Sequence, residues 1–92
     1  MEKENLTIRM KLGQGSYAVV KLATEKATGE KYAIKTYDKY KLYDIQKKKN
    51  VTREISILKT LNHPNIVKLI STIDTSSQVN IYNWIRSNTK FA

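Results

Sequence analysis

Residues 6–37 read LTIRMKLGQGSYAVVKLATEKATGEKYAIKTY, and this stretch decides the fold. Apolar and polar residues alternate over residues 6–12, which is typical of a half-buried strand. Residues 17–23 are rich in valine and other apolar residues and predict a second strand, and residues 31–37 predict a third. Short turn segments separate the three strands, and we therefore expect them to form an antiparallel meander.

The hydrophobic period changes after the third strand. Asp44 is expected to be a helix N-cap, because its carboxylate can accept hydrogen bonds from the free amides of a first turn. The apolar stripe of an amphipathic helix follows at Val51, Ile55 and Leu58, with Asn62 as a further member. Pro64 ends this helix, since proline lacks an amide hydrogen and disfavours helical angles in the residue before it.

Two more strands are predicted after the helix, at residues 66–70 and 78–82, with a turn between them. The order of three strands, one helix and two strands predicts an α+β fold in which one helix packs on a five-stranded antiparallel sheet. We assign this domain to residues 6–82. Residues 83–92 show no clear period and are expected to be an irregular tail.

Length and composition limit the function classes. The 92 residues allow one small domain, and 40% apolar residues fit a folded chain better than a disordered one. The absence of cysteine excludes a disulfide framework and a Cys-ligated zinc site. No secretory h-region opens the sequence and no apolar run approaches the ~20 residues that span a bilayer. We therefore expect a cytoplasmic or nuclear location and no membrane partner.

The charge balance is strongly basic, with 17 Lys+Arg against 8 Asp+Glu. Such a balance also occurs in nucleic-acid-binding proteins. Most of the cations here are lysines spread along the chain, and the densest run is residues 47–49. Arginine would be expected more often if bases or phosphates were bound through two parallel hydrogen bonds. A solvated helix face is therefore the preferred interpretation, and no nucleic-acid partner is expected.

A glycine-rich segment, Gly13-Gln14-Gly15-Ser16, lies between the first two predicted strands. Glycine has no Cβ, so the backbone can turn tightly there and its amides can approach phosphate oxygens. A Gly-x-Gly pair alone is equally typical of a plain hairpin turn. A dinucleotide-binding fold would need a helix after the glycines, and a Walker loop would need a Gly-Lys-Ser/Thr ending; the sequence predicts neither.

A lysine and a glutamate are predicted to meet beside this segment. Strand alternation places Ala33, Lys35 and Tyr37 on one face, and a small apolar residue beside a cation suits a flat base with trailing phosphates. Glu54 borders the buried stripe of the helix, where a carboxylate needs a cation, and Lys35 is the natural partner. Taken singly, each residue also fits an ordinary surface charge.

Taken together, residues 13–20, 32–35 and 53–55 resemble the signature set of protein kinases. That set has a glycine-rich loop ending in valine, a Val-Ala-Ile-Lys strand and a helix glutamate. Their order and separations match, and residues 61–67 are similar to the kinase turn into the fourth strand. The resemblance is to serine/threonine kinases, in the style of the calcium/calmodulin-dependent and AMP-activated group. It implies the N-terminal, ATP-binding lobe of an enzyme that transfers the γ-phosphate to protein hydroxyls.

The resemblance also implies a role for each matched residue. Lys35 would hold the α- and β-phosphates and Glu54 would tether it, which makes them the expected catalytic pair. Val20 and Ala33 would enclose the adenine. The implied nucleotide contacts are, in full, Leu12, Gly13, Gln14, Gly15, Ser16, Tyr17, Ala18, Val20, Ala33 and Lys35. Leu58 and Leu69 would join the apolar column on which the helix docks.

The sequence departs from the family at several positions. Ala18 stands where the third loop glycine is usual, and Tyr32 stands where the strand motif has valine. After Ile81 the family continues into an apolar strand, a gatekeeper residue and an acidic hinge, and the gatekeeper would fall near Asn83. His63 is implied to be a loop residue, since no second histidine and no cysteine accompanies it as a metal ligand.

The 92 residues contain no His-Arg-Asp and no Asp-Phe-Gly segment. The family uses these to orient the acceptor hydroxyl and to hold Mg²⁺, so we expect this chain alone to be inactive and to bind ATP weakly. Protein substrates would require a second lobe, and the exposed lobe face invites self-association. Two alternatives are a non-catalytic lobe that binds a kinase or regulator, and a basic nucleic-acid-binding domain that uses residues 47–49.

Overall fold

The fold has two layers, an antiparallel sheet and one α-helix packed on one of its faces. The computed structural model describes residues 6–14, 18–65 and 68–85, and within the first strand it describes the side chains of Leu6, Ile8 and Lys11. The elements are β1 (Leu6–Gln14), β2 (Ala18–Glu25), β3 (Lys31–Asp38), a 3-10 helix (Lys39–Lys41), α1 (Ile45–Thr60), β4 (Lys68–Asp74) and β5 (Gln78–Ile85).

The strands lie side by side in the order β1-β2-β3-β5-β4, and every neighbouring pair is antiparallel. The first three strands form the predicted meander. The turn between β2 and β3 closes with a 2.9 Å hydrogen bond from the Gly29 amide to the Glu25 carbonyl. Gly29 has φ of 75°, a left-handed conformation that side chains with a Cβ rarely adopt. The prediction of an antiparallel sheet with one packed helix is confirmed.

The end of β5 corrects the expectation of an irregular tail from residue 83. The strand spans Gln78–Ile85, so the three residues after position 82 pair with β3. Because β5 lies between β3 and β4, the consecutive residues Ile81, Tyr82 and Asn83 are all buried. A strand that is covered on both faces loses the alternation by which a half-buried strand is identified. Residues 86–92 lie outside the described part of the chain.

The apolar stripe of α1 sets its packing against the sheet. Val51 and Leu58 lie seven residues apart on one side of the helix and are both buried, and Ile55 between them is partly buried. The helix ends at Thr60. Asn62 is exposed and follows the helix, so its predicted place in the buried stripe is wrong.

Each face of the sheet carries its own apolar cluster. The helix side holds Tyr37, Leu42, Val51, Leu58 and Ile81, with Ala18, Ile55, Leu61, Leu69 and Val79 packed around them. The opposite side holds Leu6, Ala23, Tyr32, Ile34 and Tyr82, with Ile73 and Trp84 packed around them. Leu58 and Leu69 share the helix-side cluster, as the resemblance implied. Central strands covered on both sides form a rigid base for polar groups on the helix side.

Replacement of Asp44 by alanine should destabilise the chain by about 1 kcal/mol. The Asp44 carboxylate caps α1 by accepting a 2.7 Å hydrogen bond from the Gln46 amide, as the sequence predicted. Asparagine is an equally good cap, so Asp44→Asn is the matched control and should unfold at the same urea concentration as the wild type. Equal stability of the alanine and wild-type chains would show that this cap does not hold α1.

Candidate functional site

An ion pair joins the centre of the sheet to the helix. The Lys35 ammonium on β3 lies 2.9 Å from Oε2 of Glu54 on α1 and donates a hydrogen bond to it. The two side chains are 31% and 29% exposed, so water screens this pair less than it screens a fully exposed one. The prediction that these two groups meet is confirmed. Their assigned part in catalysis stays a prediction.

Tyr37 completes the arrangement and was not singled out as a site residue. Its hydroxyl donates a hydrogen bond to Oε1 of Glu54, so each oxygen of that carboxylate has a partner. Tyr37 is only 4% exposed, and its ring centroid lies 5.2 Å from the Lys35 ammonium. The sequence did contain a signal, because strand alternation places a phenol on the same face as Lys35, two residues away.

These contacts shift the pKa values of both partners of the carboxylate. Burial tends to lower the pKa of Lys35, but hydrogen bonds with Tyr37 and Glu54 and their charges outweigh it, so its pKa is raised above the ordinary value. Burial, followed by the hydrogen bond to Glu54, raises the pKa of Tyr37 to about 12. At neutral pH, therefore, Lys35 is a cation and the Tyr37 hydroxyl is a donor.

A row of cross-strand neighbours places the glycine-rich segment near this lysine. Val20 on β2 pairs with Gly13 on one side and with Lys35 on the other, and Ile81 continues the row on β5. Strands lie about 4.8 Å apart, so the Gly13 backbone lies about 10 Å from the Lys35 backbone across the sheet. That distance is within reach of a long lysine side chain and a chain of phosphates.

The glycine-rich loop itself is only partly described. Gln14 pairs with Val19, so β1 and β2 are hydrogen-bonded up to the start of the connection. Gly15, Ser16 and Tyr17 lie outside the described residues, as do the side chains of Leu12 and Gln14. The expected contacts of this loop with phosphates therefore stay predictions.

Ala18 and Ala33 are two small residues on the same face as Lys35. Ala18 pairs with Tyr37 across β2 and β3, and it packs against the helix-side cluster. This packing gives a structural reason for a methyl group at the position where the family signature has its third glycine. Ala33 is 1% exposed and projects only a methyl group beside Lys35. Their expected nucleotide contacts, and that of the partly buried Val20, stay predictions.

A second row of neighbours brings a buried amide to the site. Ala33 pairs with Leu22 on β2 and with Asn83 on β5, and Asn83 pairs in turn with Leu69 on β4. Asn83 is 5% exposed, and its Oδ1 has no hydrogen-bond partner in the described part of the chain. The resemblance implied that the gatekeeper falls near Asn83, but periodicity gave no sign that this side chain would be buried.

Other candidate residues lie away from this face. His63 is exposed in the loop after α1, and its Nδ1 accepts a hydrogen bond of 3.1 Å from the Asn65 amide. Within residues 6–14, 18–65 and 68–85, no group of three or more His, Cys, Asp or Glu side chains could hold a metal ion. Lys48 and Lys49 are exposed on α1, and the Lys47 ammonium lies 4.5 Å from the ring centroid of Tyr43.

The only α-helix among the described residues, α1, is too short and too polar to cross a membrane.

Comparison with known proteins gives a consistent set of relatives. The family described as "Protein kinase domain" matches residues 6–91. The SNF-related serine/threonine-protein kinase of Homo sapiens is 46% identical over 68 residues, which is 74% of this chain and 9% of that protein. Serine/threonine-protein kinase SIK1 of Rattus norvegicus is 40% identical over 77 residues, covering 84% of this chain and 10% of that protein.

A third relative is calcium-dependent protein kinase 5 of Plasmodium falciparum, 42% identical over 71 residues, which is 77% of this chain and 12% of that protein. This chain therefore spans about a tenth of the length of the curated relatives it matches. The family match also runs through the last residues of β5, beyond the domain boundary expected at residue 82.

Alkaline pH should weaken the folded state through Tyr37. Its folded pKa of about 12 lies above the ordinary value of 10.0, so its stabilising effect is complete below pH 10 and is lost as the pH rises toward 12. Tyr37→Phe should therefore be less stable than the wild type by about 1–2 kcal/mol at pH 8, because the hydrogen bond to a carboxylate is lost.

That difference should shrink when urea unfolding is repeated between pH 10 and 11.5. Other tyrosines titrate in both proteins, so the comparison isolates Tyr37. A difference between the two proteins that stays constant across this range would contradict the assigned hydrogen bond.

Proposed function

The chain belongs to the protein kinase domain family, which confirms the resemblance to serine/threonine kinases, and on this basis we propose that it forms the ATP-binding lobe of such an enzyme. The observation that carries the proposal is the Lys35–Glu54 ion pair on the same sheet face as Ala33. The five strands and α1 together form the lobe in this proposal. They place a cation, a small apolar surface and a glycine-rich strand end on one side of the molecule.

In this proposal Lys35 holds the α- and β-phosphates of ATP. An ammonium group has three N–H donors, and the structure gives one of them to Glu54. The raised pKa of Lys35 keeps the charge in place at neutral pH. Because Tyr37 occupies the second oxygen of Glu54, the carboxylate is fixed from two directions, and this fixes the ammonium in turn.

The adenine ring is proposed to lie against Ala33 and Val20. Ala33 leaves room for a flat ring because it extends no further than its Cβ. Val20 offers a branched apolar side chain on β2, two residues from the cross-strand partner of Ala33, Leu22. Lys35, the lysine that pairs with Glu54, lies two residues from Ala33 on this face. That separation, about 7 Å along a strand, is suited to a base at one position and phosphates at the other.

Phosphoryl transfer needs groups beyond these 92 residues. Bound ATP would supply the γ-phosphoryl group, and the family holds Mg²⁺ and orients the protein hydroxyl with segments that this sequence does not contain. We therefore propose that this chain binds nucleotide but transfers no phosphate by itself. Protein substrates and a cytoplasmic or nuclear location are part of the same proposal.

A surface groove beside Glu54 supports a partner for this lobe. It is lined by Asn50, Arg53, Glu54, Ile57 and Leu58, and Ile57 is 49% exposed there. We propose that a second copy of this chain covers this groove. The non-catalytic alternative, in which the lobe binds a kinase or a regulator, would use the same groove.

Lys35→Met should weaken ADP binding by about tenfold, which is about 1.4 kcal/mol. The wild-type chain is expected to bind ADP with a Kd of about 1 mM, a binding free energy of roughly 4 kcal/mol. Binding this weak is best measured by a titration that follows amide NMR shifts. Lys21→Met is the matched control. Lys21 is exposed on β2 and pairs with Ile34, whose side chain lies in the cluster on the opposite face of the sheet.

The control should bind ADP within twofold of the wild type. Equal weakening by the two substitutions would indicate unspecific attraction to a basic surface. Binding of DNA or RNA that is insensitive to Lys35→Met and falls steeply with salt would favour the nucleic-acid alternative.

A further inference from the structure

The hydroxyl of Tyr37 contacts both members of the ion pair. The residue is 4% exposed, and its hydroxyl donates a hydrogen bond to Oε1 of Glu54. The Lys35 ammonium lies 2.9 Å from the other oxygen of that carboxylate. Hydrogen bonding between Lys35 and Tyr37 also contributes to the raised pKa of the lysine. Ammonium, carboxylate and hydroxyl therefore form a closed set of three mutual contacts.

The chemistry of the three groups sets the direction of each hydrogen bond. An ammonium only donates, an ionised carboxylate only accepts, and a phenol does both. The pKa of Lys35 is raised and that of Tyr37 is raised to about 12, so at neutral pH the lysine is charged and the phenol keeps its proton. The Tyr37 oxygen can therefore accept an N–H from Lys35 while its O–H is donated to Glu54. A phenylalanine at this position could do neither.

The backbone of Tyr37 is held by the sheet on both sides. Tyr37 lies directly opposite Ala18 on β2 and Val79 on β5, and both of these residues pack against the helix-side cluster that contains its ring. Lys35 is two residues away on the same strand and the same face. The contact between Tyr37 and Lys35 therefore lies within β3, whereas the contact between Glu54 and Lys35 crosses to α1. A displacement of α1 would remove Glu54 and leave Tyr37 in place.

We infer that Tyr37 is a positioning residue of the nucleotide site, which holds the Lys35 ammonium directly as well as through Glu54. This inference rests on the proposed nucleotide site and adds a second anchor for its cation. Ala33, to which the base is assigned, and Tyr37 lie on opposite sides of Lys35 along β3. The hydroxyl thus holds the ammonium from the side away from the base. The cation keeps part of its placement when the carboxylate is removed.

Binding of ADP to the wild type, Tyr37→Phe, Glu54→Ala and the combined variant tests the inference by amide NMR titration. Tyr37→Phe should weaken binding about threefold in the wild type and again in the Glu54→Ala background, since a hydrogen bond to a charged group is lost in each. No effect of Tyr37→Phe in the Glu54→Ala background would show that the hydroxyl acts only through Glu54, and would overturn the inference.

Tyr82→Phe is the matched control for loss of a tyrosine hydroxyl. Tyr82 is 2% exposed and lies in the cluster on the opposite face of the sheet. This variant should bind ADP as tightly as the wild type. If it weakens ADP binding as much as Tyr37→Phe does, the effect of Tyr37→Phe is not specific to the ammonium and the inference fails.

Adenosine separates positioning of the cation from a general loss of structure, because it has the base of ADP but no phosphates. Tyr37→Phe should bind adenosine as tightly as the wild type does. Equal weakening of ADP and adenosine binding would indicate a structural effect and overturn the inference, while ADP binding by the wild type would leave the nucleotide site standing.

A measurement on the wild type does not depend on how any variant folds. The ¹³Cζ resonance of Tyr37 should shift with ADP and stay in place with adenosine, because only ADP brings phosphates to the ammonium that contacts its hydroxyl. A resonance that ADP leaves in place, or that moves equally with both ligands, would contradict the inference. If ADP does not bind the wild type at all, both the inference and the proposed function fail.

Discussion

The ion pair between the Lys35 ammonium and the Glu54 carboxylate connects the sheet to the helix. A pair of charges that are each about one third exposed contributes little net stability, so this contact does not hold α1 on the sheet. The apolar contacts of Val51 and Leu58 do that. Once they fix the helix, the ion pair and the Tyr37 hydroxyl determine where one cation points, and the functional proposal depends on that direction.

The covering of both sheet faces explains where this cation can lie. β3 and β5 are neighbouring inner strands of the sheet. Their apolar residues are divided between the two clusters, one on each face. Lys35 lies on the helix-side face of β3, where its ammonium is 2.9 Å from the Glu54 carboxylate on α1. The same covering buries the Asn83 side chain, and burial of a polar group costs free energy unless it is hydrogen-bonded.

Much of this arrangement could be predicted from the sequence. Period-two alternation put Ala33 and Lys35 on one face, and period-3.6 spacing put Glu54 beside the buried stripe of the helix, because both patterns follow from backbone geometry alone. Asp44 was predicted as the cap from side-chain chemistry. The loop at residues 15–17 stays a prediction, since its residues lie outside those that the structure describes.

The features that were missed depend on tertiary burial. Residues 83–85 were assigned to a tail, although they extend β5, because an inner strand is buried on both faces and shows no alternation. Asn62 fitted the helical spacing, but the helix ends at Thr60. The hydrogen bond from Tyr37 to Glu54 forms only because α1 packs across β3 at a suitable angle, and local sequence patterns do not predict that angle.

The most direct test of the central claim is a double-mutant cycle on the free energy of unfolding, with Lys35→Met, Glu54→Gln and the combined variant. We expect a coupling of about 1 kcal/mol between the two positions, since each substitution removes the same ion pair. Single effects that simply add in the combined variant would show that the two charges do not interact in solution, and would contradict the account.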